Sequence, residues 1–335
     1  MDFQGKARSR FFPIPSFDIP KVPSLSCRQE PALKILLSLK ENPFPTRLFP
    51  QESSPEKKND LRPKKLCGEE GFDSYYSEVF SSRWESLKSS LQSEKSYVEW
   101  KNEGCKGYFI DPASVYAALH LPLKGAKRIL DMCAAPGGKT LVIGSLMEED
   151  AVLVSNERSF QRRQRLSQVC KDSLPESVAS RIKLTSSDGA RLCLNAGEVY
   201  DRILLDAPCS SERHVLNDRK HLLLWSNSRV KSLAMEQWAL ISSAYRLLSR
   251  GGYLVYSTCA LSKSENDEII KRLVKKFDDM KIVLDGEAME FSDEYKKFLK
   301  TEIRFEPERT ECGFHILPDR QNGAGPIWFS VLEKT

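Results

Sequence analysis

The sequence predicts an α/β protein built on a doubly wound, mainly parallel sheet of seven strands, preceded by a mostly extended N-terminal appendage. Three observations carry this. From Ile129 onward, short apolar runs alternate with helix-like segments, the texture of strand–helix–strand units. Ten of the 18 prolines fall within the first 63 residues, where they exclude long helices and central strands. The chain has 335 residues, 40% of them hydrophobic, which is enough for one large core and excludes wholesale disorder.

Residues 1–68 are read as extended or partly disordered, with one short helix at PALKILLSLKEN, where Leu33, Leu36, Leu37 and Lys40 follow helical spacing. Residues 69–107 are read as a helical extension. Within it Tyr76, Phe80, Trp84, Leu87 and Leu91 recur at steps of three or four, the stripe of a helix that packs against a core. Residues 108–335 form the main domain. Its strands are expected at RILDM, AVLVSNE, IKLTSS, DRILLDA, GYLVYST, KIVLD and PIWFSVLE. Its helices are expected at LVIGSLM, SFQRRQRLSQVCKDSL, SRVKSLAMEQWALISSAYRLLSR and SENDEIIKRLVKKF.

Composition narrows the chemistry. Lys+Arg 51 against Asp+Glu 46 leaves +5, which permits a polyanionic partner but not binding by charge alone. No run approaches the ~18 apolar residues of a membrane span. The N-terminus lacks the apolar stretch of a secretory signal, and its prolines and aspartates argue against a transit helix, so a cytoplasmic chain is expected, with the mitochondrial matrix as the alternative. Nine cysteines without a CxxC pair disfavour a disulfide framework and a four-cysteine zinc site, and no metal is expected.

The first strand runs into ILDMCAAPGGKT, a small-residue loop that opens a helix. In a doubly wound sheet, backbone N–H groups at such a place meet a ligand's polar groups. Two ligand classes compete. GGKT and the later RILLD resemble the phosphate loop and magnesium-holding strand of a nucleotide triphosphatase. Against this, Cys133 stands where that loop needs glycine, and Pro136 stiffens it. Glu157 ends the second strand about 20 residues past the glycines, the spacing at which a carboxylate receives ribose hydroxyls. Asp188 ends the third and is placed to accept from an adenine amino group. The ordered series describes S-adenosylmethionine better than ATP or NAD, although each acid alone also has an ordinary role: Asp131 can order the loop, and Asp188 with Gly189 can make a turn.

Cys209 and Cys259 each follow a strand on the edge that lines the ligand crevice. Small buried residues are the usual fate of cysteine, and Cys27, Cys67, Cys105, Cys170, Cys193 and Cys312 are read that way. Cytosine chemistry gives these two another use. Thiolate addition at carbon 6 makes carbon 5 nucleophilic enough to accept a methyl group. Asp206, three residues before Cys209, is placed to hydrogen-bond ring nitrogen 3, and a base must then remove the carbon 5 proton.

ILDMCAAPGGKT, SSDGA, LLDAPCSSERH and LVYSTCALSKSEN resemble, in this order, the signature motifs of the Sun (Fmu) family of RNA cytosine-5 methyltransferases, over roughly Tyr108 to Thr335. The resemblance implies a Rossmann-like sheet, S-adenosylmethionine as methyl donor, Cys259 as nucleophile and Cys209 as promoter of product release. It places Ala134, Pro136, Gly137, Gly138, Lys139 and Thr140 at the methionine and ribose end of the cofactor. Glu157 falls on the ribose hydroxyls with Arg162 nearby, Asp188 and Gly189 by the adenine, and Asp206 between cofactor and base. The family often has Asp where this chain has Glu157. The fine pattern is similar to the compact ribosomal-RNA branch, so ribosomal RNA is expected before transfer RNA, bound by a monomer with or without an accessory protein. A catalytically silent assembly factor is the alternative from another class.

For RNA contacts, Arg213, His214, Arg219 and Lys220 follow the PCS loop, and Arg162, Arg163 and Arg165 form a second basic cluster. Such runs are also ordinary solvated helix faces. Trp225 can stack on a base or pack in the core.

Overall fold

The computed structural model describes residues 66–194, 197–283 and 305–335. The expected short helix at 31–42 and nearly all of the N-terminal appendage lie outside them. In chain order the elements are α1 (Gly68–Phe80), a 3-10 turn, α2 (Trp84–Gln92), β1 (Val98–Trp100), β2 (Tyr108–Ile110), α3 (Pro112–Leu119), β3 (Arg128–Asp131), α4 (Gly138–Leu146), β4 (Val152–Asn156), α5 (Phe160–Ser173), α6 (Glu176–Ala179) and β5 (Ile182–Thr185). There follow β6 (Tyr200–Asp206), α7 (Glu212–Leu216), α8 (Arg219–Leu223), α9 (Asn227–Leu247), β7 (Leu248–Thr258), α10 (Asp267–Lys276), β8 (Met280–Ile282), β9 (Glu308–Arg309), β10 (Phe314–Ile316) and β11 (Ile327–Lys334). Among the described residues no helix is long and apolar enough to cross a membrane.

The main sheet runs β5-β4-β3-β6-β7-β11-β10-β9, with β8 also on β11. Strands β3 to β7 pair in parallel and β11 is antiparallel to β7. All seven expected strands are present. Two more, β9 and β10, are too short to show a period. The apolar runs are continuous because both faces are covered. Leu130, Ile203, Leu205, Leu254 and Tyr256 pack to one side with residues of α9 and α10. Their neighbours Ile129, Leu204, Val255 and Phe329 pack to the other with Ala113, Ala117 and Ile143. Chain order reverses between β3 and β6, so a crevice opens beyond their C-terminal ends.

The extension differs from the single helix expected. Ser81 adopts φ 51° and divides it into α1 and α2, and Val98–Trp100 is a strand. Most of the apolar stripe still lands inside: Tyr76, Trp84, Leu87 and Leu91 are buried with Phe72 in a cluster with Val215, Leu216, Trp225 and Leu261, and Phe80 is half-buried against it. Each such side chain contributes about 1.5–3 kcal/mol on burial, which seats the extension firmly on the loops that follow β6 and β7. Trp225 is 2% exposed and meets Phe72 edge-on at 5.3 Å, so it belongs to the core and is not open to a base.

Candidate active site

Adjacent parallel strands in register bring the two cysteines together. Asp206 of β6 lies beside Ser257 of β7, so the loops leaving both strands start side by side. The sulfurs of Cys209 and Cys259 stand 2.9 Å apart, and Ser211 Oγ is 3.3 Å from Cys259 Sγ. The hydrogen bond from the Cys209 thiol lowers the pKa of Cys259 below its ordinary value, with help from Ser211 and against burial. The same hydrogen bond, added to burial, pushes Cys209 well above its own. Cys259 is thus the more acidic of the two thiols.

Asp206 accepts from Ser257 Oγ at 2.8 Å and from Lys139 Nζ at 2.8 Å. Lys139 is buried in the first turn of α4. Burial pulls its pKa down, but the Asp206 carboxylate more than offsets this and the net shift is upward. Lys139 therefore faces a carboxylate, not an open phosphate cradle.

Behind the cysteines, two buried glutamates tie the loops together crosswise. Glu212, from the Cys209 side, accepts from the Leu261 amide of the Cys259 side at 3.1 Å, and from Tyr76 and Ser210. Glu265, from the Cys259 side, accepts from the Ser210 amide of the Cys209 side at 2.9 Å and from Gln237 at 3.0 Å. Burial, and then the neighbouring Glu212, push Glu265 up to about 7. Sequence reading missed both glutamates, because their partners are 49 and 55 residues away. The available sign was a polar residue in each cysteine motif that the chemistry did not use.

Two cavities flank Cys133 at the crevice. The larger, about 400 Å³, is lined by Glu157, Arg162, Asp188 and Gly189 of the expected residues, with Asn156 and Glu236 in addition. Glu157 is 5% exposed, accepts from the Ser159 amide at 2.7 Å and lies 3.3 Å from Arg162. The smaller, about 200 Å³, is lined by Ala134, Pro136, Gly138, Lys139 and Asp206 together with Tyr97 and Phe109. Gly137 lines neither. Its φ of +117° turns the loop into α4, a backbone region that strains other residues. Thr140 is also placed differently from the expectation: it is fully buried and donates to Asp131 at 2.6 Å, so it orders the loop through that carboxylate.

Burial raises Asp131 from 3.8 to about 7, and its Oδ1 has no partner among the described residues. Between those values the folded protein keeps a proton that the unfolded chain has released. The contribution is therefore full below pH 3.8 and lost as pH rises through about 7. Asp131→Asn, a mimic of the protonated form, is expected to flatten the fall of the urea midpoint from about pH 5 to about pH 8. A slope equal to the wild type's would contradict this.

Arg213 corrects an expectation. It is 5% exposed, and its guanidinium donates to the carbonyls of Gly323 and Gly325, each at 2.6 Å, and of Ser93 and Glu94 at 3.1 and 3.2 Å. All four bonds are internal, so Arg213 joins the end of α2 to the loop before β11 and is not presented to RNA. A charged group's hydrogen bonds contribute about 1.5–3 kcal/mol each, so Arg213→Ala is expected to cost at least about 3 kcal/mol in urea unfolding. Unchanged unfolding with weakened RNA binding would restore the original reading. His214, Arg219 and Lys220 are exposed, and His214 packs against His221, which bonds Asp218 at 2.8 Å.

Comparison with known proteins decides the family. Residues 118–325 match the family model described as 16S rRNA methyltransferase RsmB/F. The chain belongs to this family. The RsmB/F stretch contains both cysteine loops and the loop from β3 into α4. Curated relatives include the mitochondrial tRNA (cytosine(34)-C(5))-methyltransferase of Mus musculus, 32% identical over 68% of this chain and 64% of the relative. Another is 5-cytosine rRNA methyltransferase NSUN4 of Bos taurus, 31% identical over 67% and 59%. The chain thus spans 59% to 64% of the length of these relatives. Among solved structures, NSun6 from Pyrococcus horikoshii with SFG is 26% identical, with TM-score 0.53, over 68% of this chain and 53% of that one. PH0851 shares the fold, with TM-score 0.63 and 20% identity over 78% and 65%.

Proposed function

We propose that this RsmB/F chain methylates carbon 5 of cytosine in RNA, through a bond between Cys259 and carbon 6 of the base. The observation that carries the reading is the pair of sulfurs 2.9 Å apart beside the Lys139–Asp206 pair. A structural role for cysteine gives no reason to set two free thiols together at a crevice and hold their loops with two buried carboxylates.

The donor set of the cavities fits S-adenosylmethionine. Glu157 and Asp188 offer acceptors for hydroxyl and amino groups, and a Cβ on Gly189 would meet Leu240 at 2.8 Å, so that wall is flat and close. When bound, S-adenosylmethionine would supply the methyl group. This chain's residues do the rest. The Cys259 thiolate adds to carbon 6, and the ring's electrons are pushed toward carbon 5. Nitrogen 3 takes up a proton as carbon 6 is attacked, and the Asp206 carboxylate, with Lys139 behind it, accepts a hydrogen bond from that N–H. Cys209 assists loss of the carbon 5 proton, after which the Cys259–carbon 6 bond breaks.

Ribosomal RNA is the proposed substrate, in line with the family description and with NSUN4, while the tRNA relative supplies the competing class. The mitochondrial relative supports the matrix as the compartment at least as well as the cytoplasm. The comparisons lend the triphosphatase alternative no support. Incubation of the full chain with methyl-labelled S-adenosylmethionine and either small-subunit rRNA or total tRNA tests the reading. Labelled 5-methylcytidine in nuclease digests of the rRNA is expected. Label on another atom, or nucleotide hydrolysis without methyl transfer, would overturn it.

A further inference from the structure

The β1–β2 hairpin precedes the stretch matched by the family model and stands apart from the main sheet. Alternation along β2 sends Ile110 inward, where it packs so closely on the loop that a Cβ on Gly138 would lie 2.6 Å from it. Phe109 therefore faces out. It is 66% exposed, and Tyr97, just before β1, is 55% exposed. An outward position on such a hairpin is ordinarily polar. Both aromatic residues instead line the same cavity as Lys139 and Asp206.

We propose that Phe109 and Tyr97 are a stacking platform for an unpaired RNA base that enters beside the target cytosine. The proposal rests on the RNA reading above. A cytosine that reaches a thiol has left its stack, so the strand there is opened and a neighbouring base loses a stacking partner. An aromatic face replaces that partner without reading sequence. Charge does not explain the patch, because residues 93–109 hold three lysines and three glutamates. The platform's contribution should accordingly be insensitive to salt, unlike phosphate contacts.

The test uses the full chain and a cytidine-rich dodecaribonucleotide carrying one 2-aminopurine, whose fluorescence is quenched on stacking. Wild type should bind and quench. Phe109→Ala should weaken binding roughly tenfold at both about 50 and about 200 mM salt. Phe109→Trp should restore binding and Phe109→Leu should not. Unchanged affinity in Phe109→Ala, full rescue by Leu, or no binding of the oligonucleotide by wild type would overturn the platform. Rescue by Leu would point to an apolar protein contact instead. If wild type methylates rRNA while Phe109→Ala turns over equally well, the platform alone is lost. If wild type transfers methyl to no RNA, the reading beneath it fails as well.

Discussion

Cys259→Ala is expected to lower the single-turnover rate of methyl transfer by at least about 10³-fold, because removal of a covalent nucleophile leaves only positioning to act on the substrate. The fold should survive, since Cys259 packs only partly against the core and its loop is held from behind by Glu212 and Asn266. Cys259→Ser should not rescue, because a hydroxyl cannot ionise as the hydrogen-bonded thiol does. Binding of S-adenosylmethionine should stay near wild type, as neither large cavity is lined by Cys259. Residual activity within tenfold of wild type would mean that the carbon 6 bond forms elsewhere or not at all.

Cys209→Ala should have an effect of similar size but of another kind: the enzyme should stall after methyl transfer with RNA still attached. On the proposed mechanism, the geometry implies an order of events. While Cys259 is free, its bond to Cys209 keeps the second thiol's pKa high. Once Cys259 is bonded to carbon, its negative charge is gone and that restraint is lifted, leaving burial as the main remaining cause. Cys209 then becomes easier to ionise just when a base is needed at carbon 5. Incubation with natural rRNA and S-adenosylmethionine should therefore give a denaturant-stable protein–RNA band with Cys209→Ala and little with wild type. A turnover rate equal to wild type's would remove Cys209 from the release step.

The sheet was legible because both its faces are buried, so each central strand writes an uninterrupted apolar run such as RILLD or YLVYS. The meeting of the cysteines was legible for the same reason: both follow consecutive parallel strands that turned out to be neighbours, in register at Asp206 and Ser257. What failed was non-local or too short. Arg213 reads as surface charge in any local window, and only the folded chain brings the carbonyls of Ser93 and Gly325 to it. Periodicity could not reveal the break at Ser81, because the apolar stripe continues across it. The β1–β2 hairpin offered only three residues per strand. Thr140 was assigned by analogy with a ligand loop, whereas a hydroxyl next to a buried acid finds that acid first.

The most direct measurement of the central claim is trapping with 5-fluorocytidine-substituted rRNA. Fluorine cannot leave carbon 5 as a proton does, so the wild-type protein should be caught on its substrate. Digestion and mass spectrometry should then find the nucleotide on the peptide that contains Cys259, with no such product from Cys259→Ala. A nucleotide attached to Cys209, or a wild-type protein that methylates rRNA and yet forms no covalent complex with the fluorinated strand, would contradict the account.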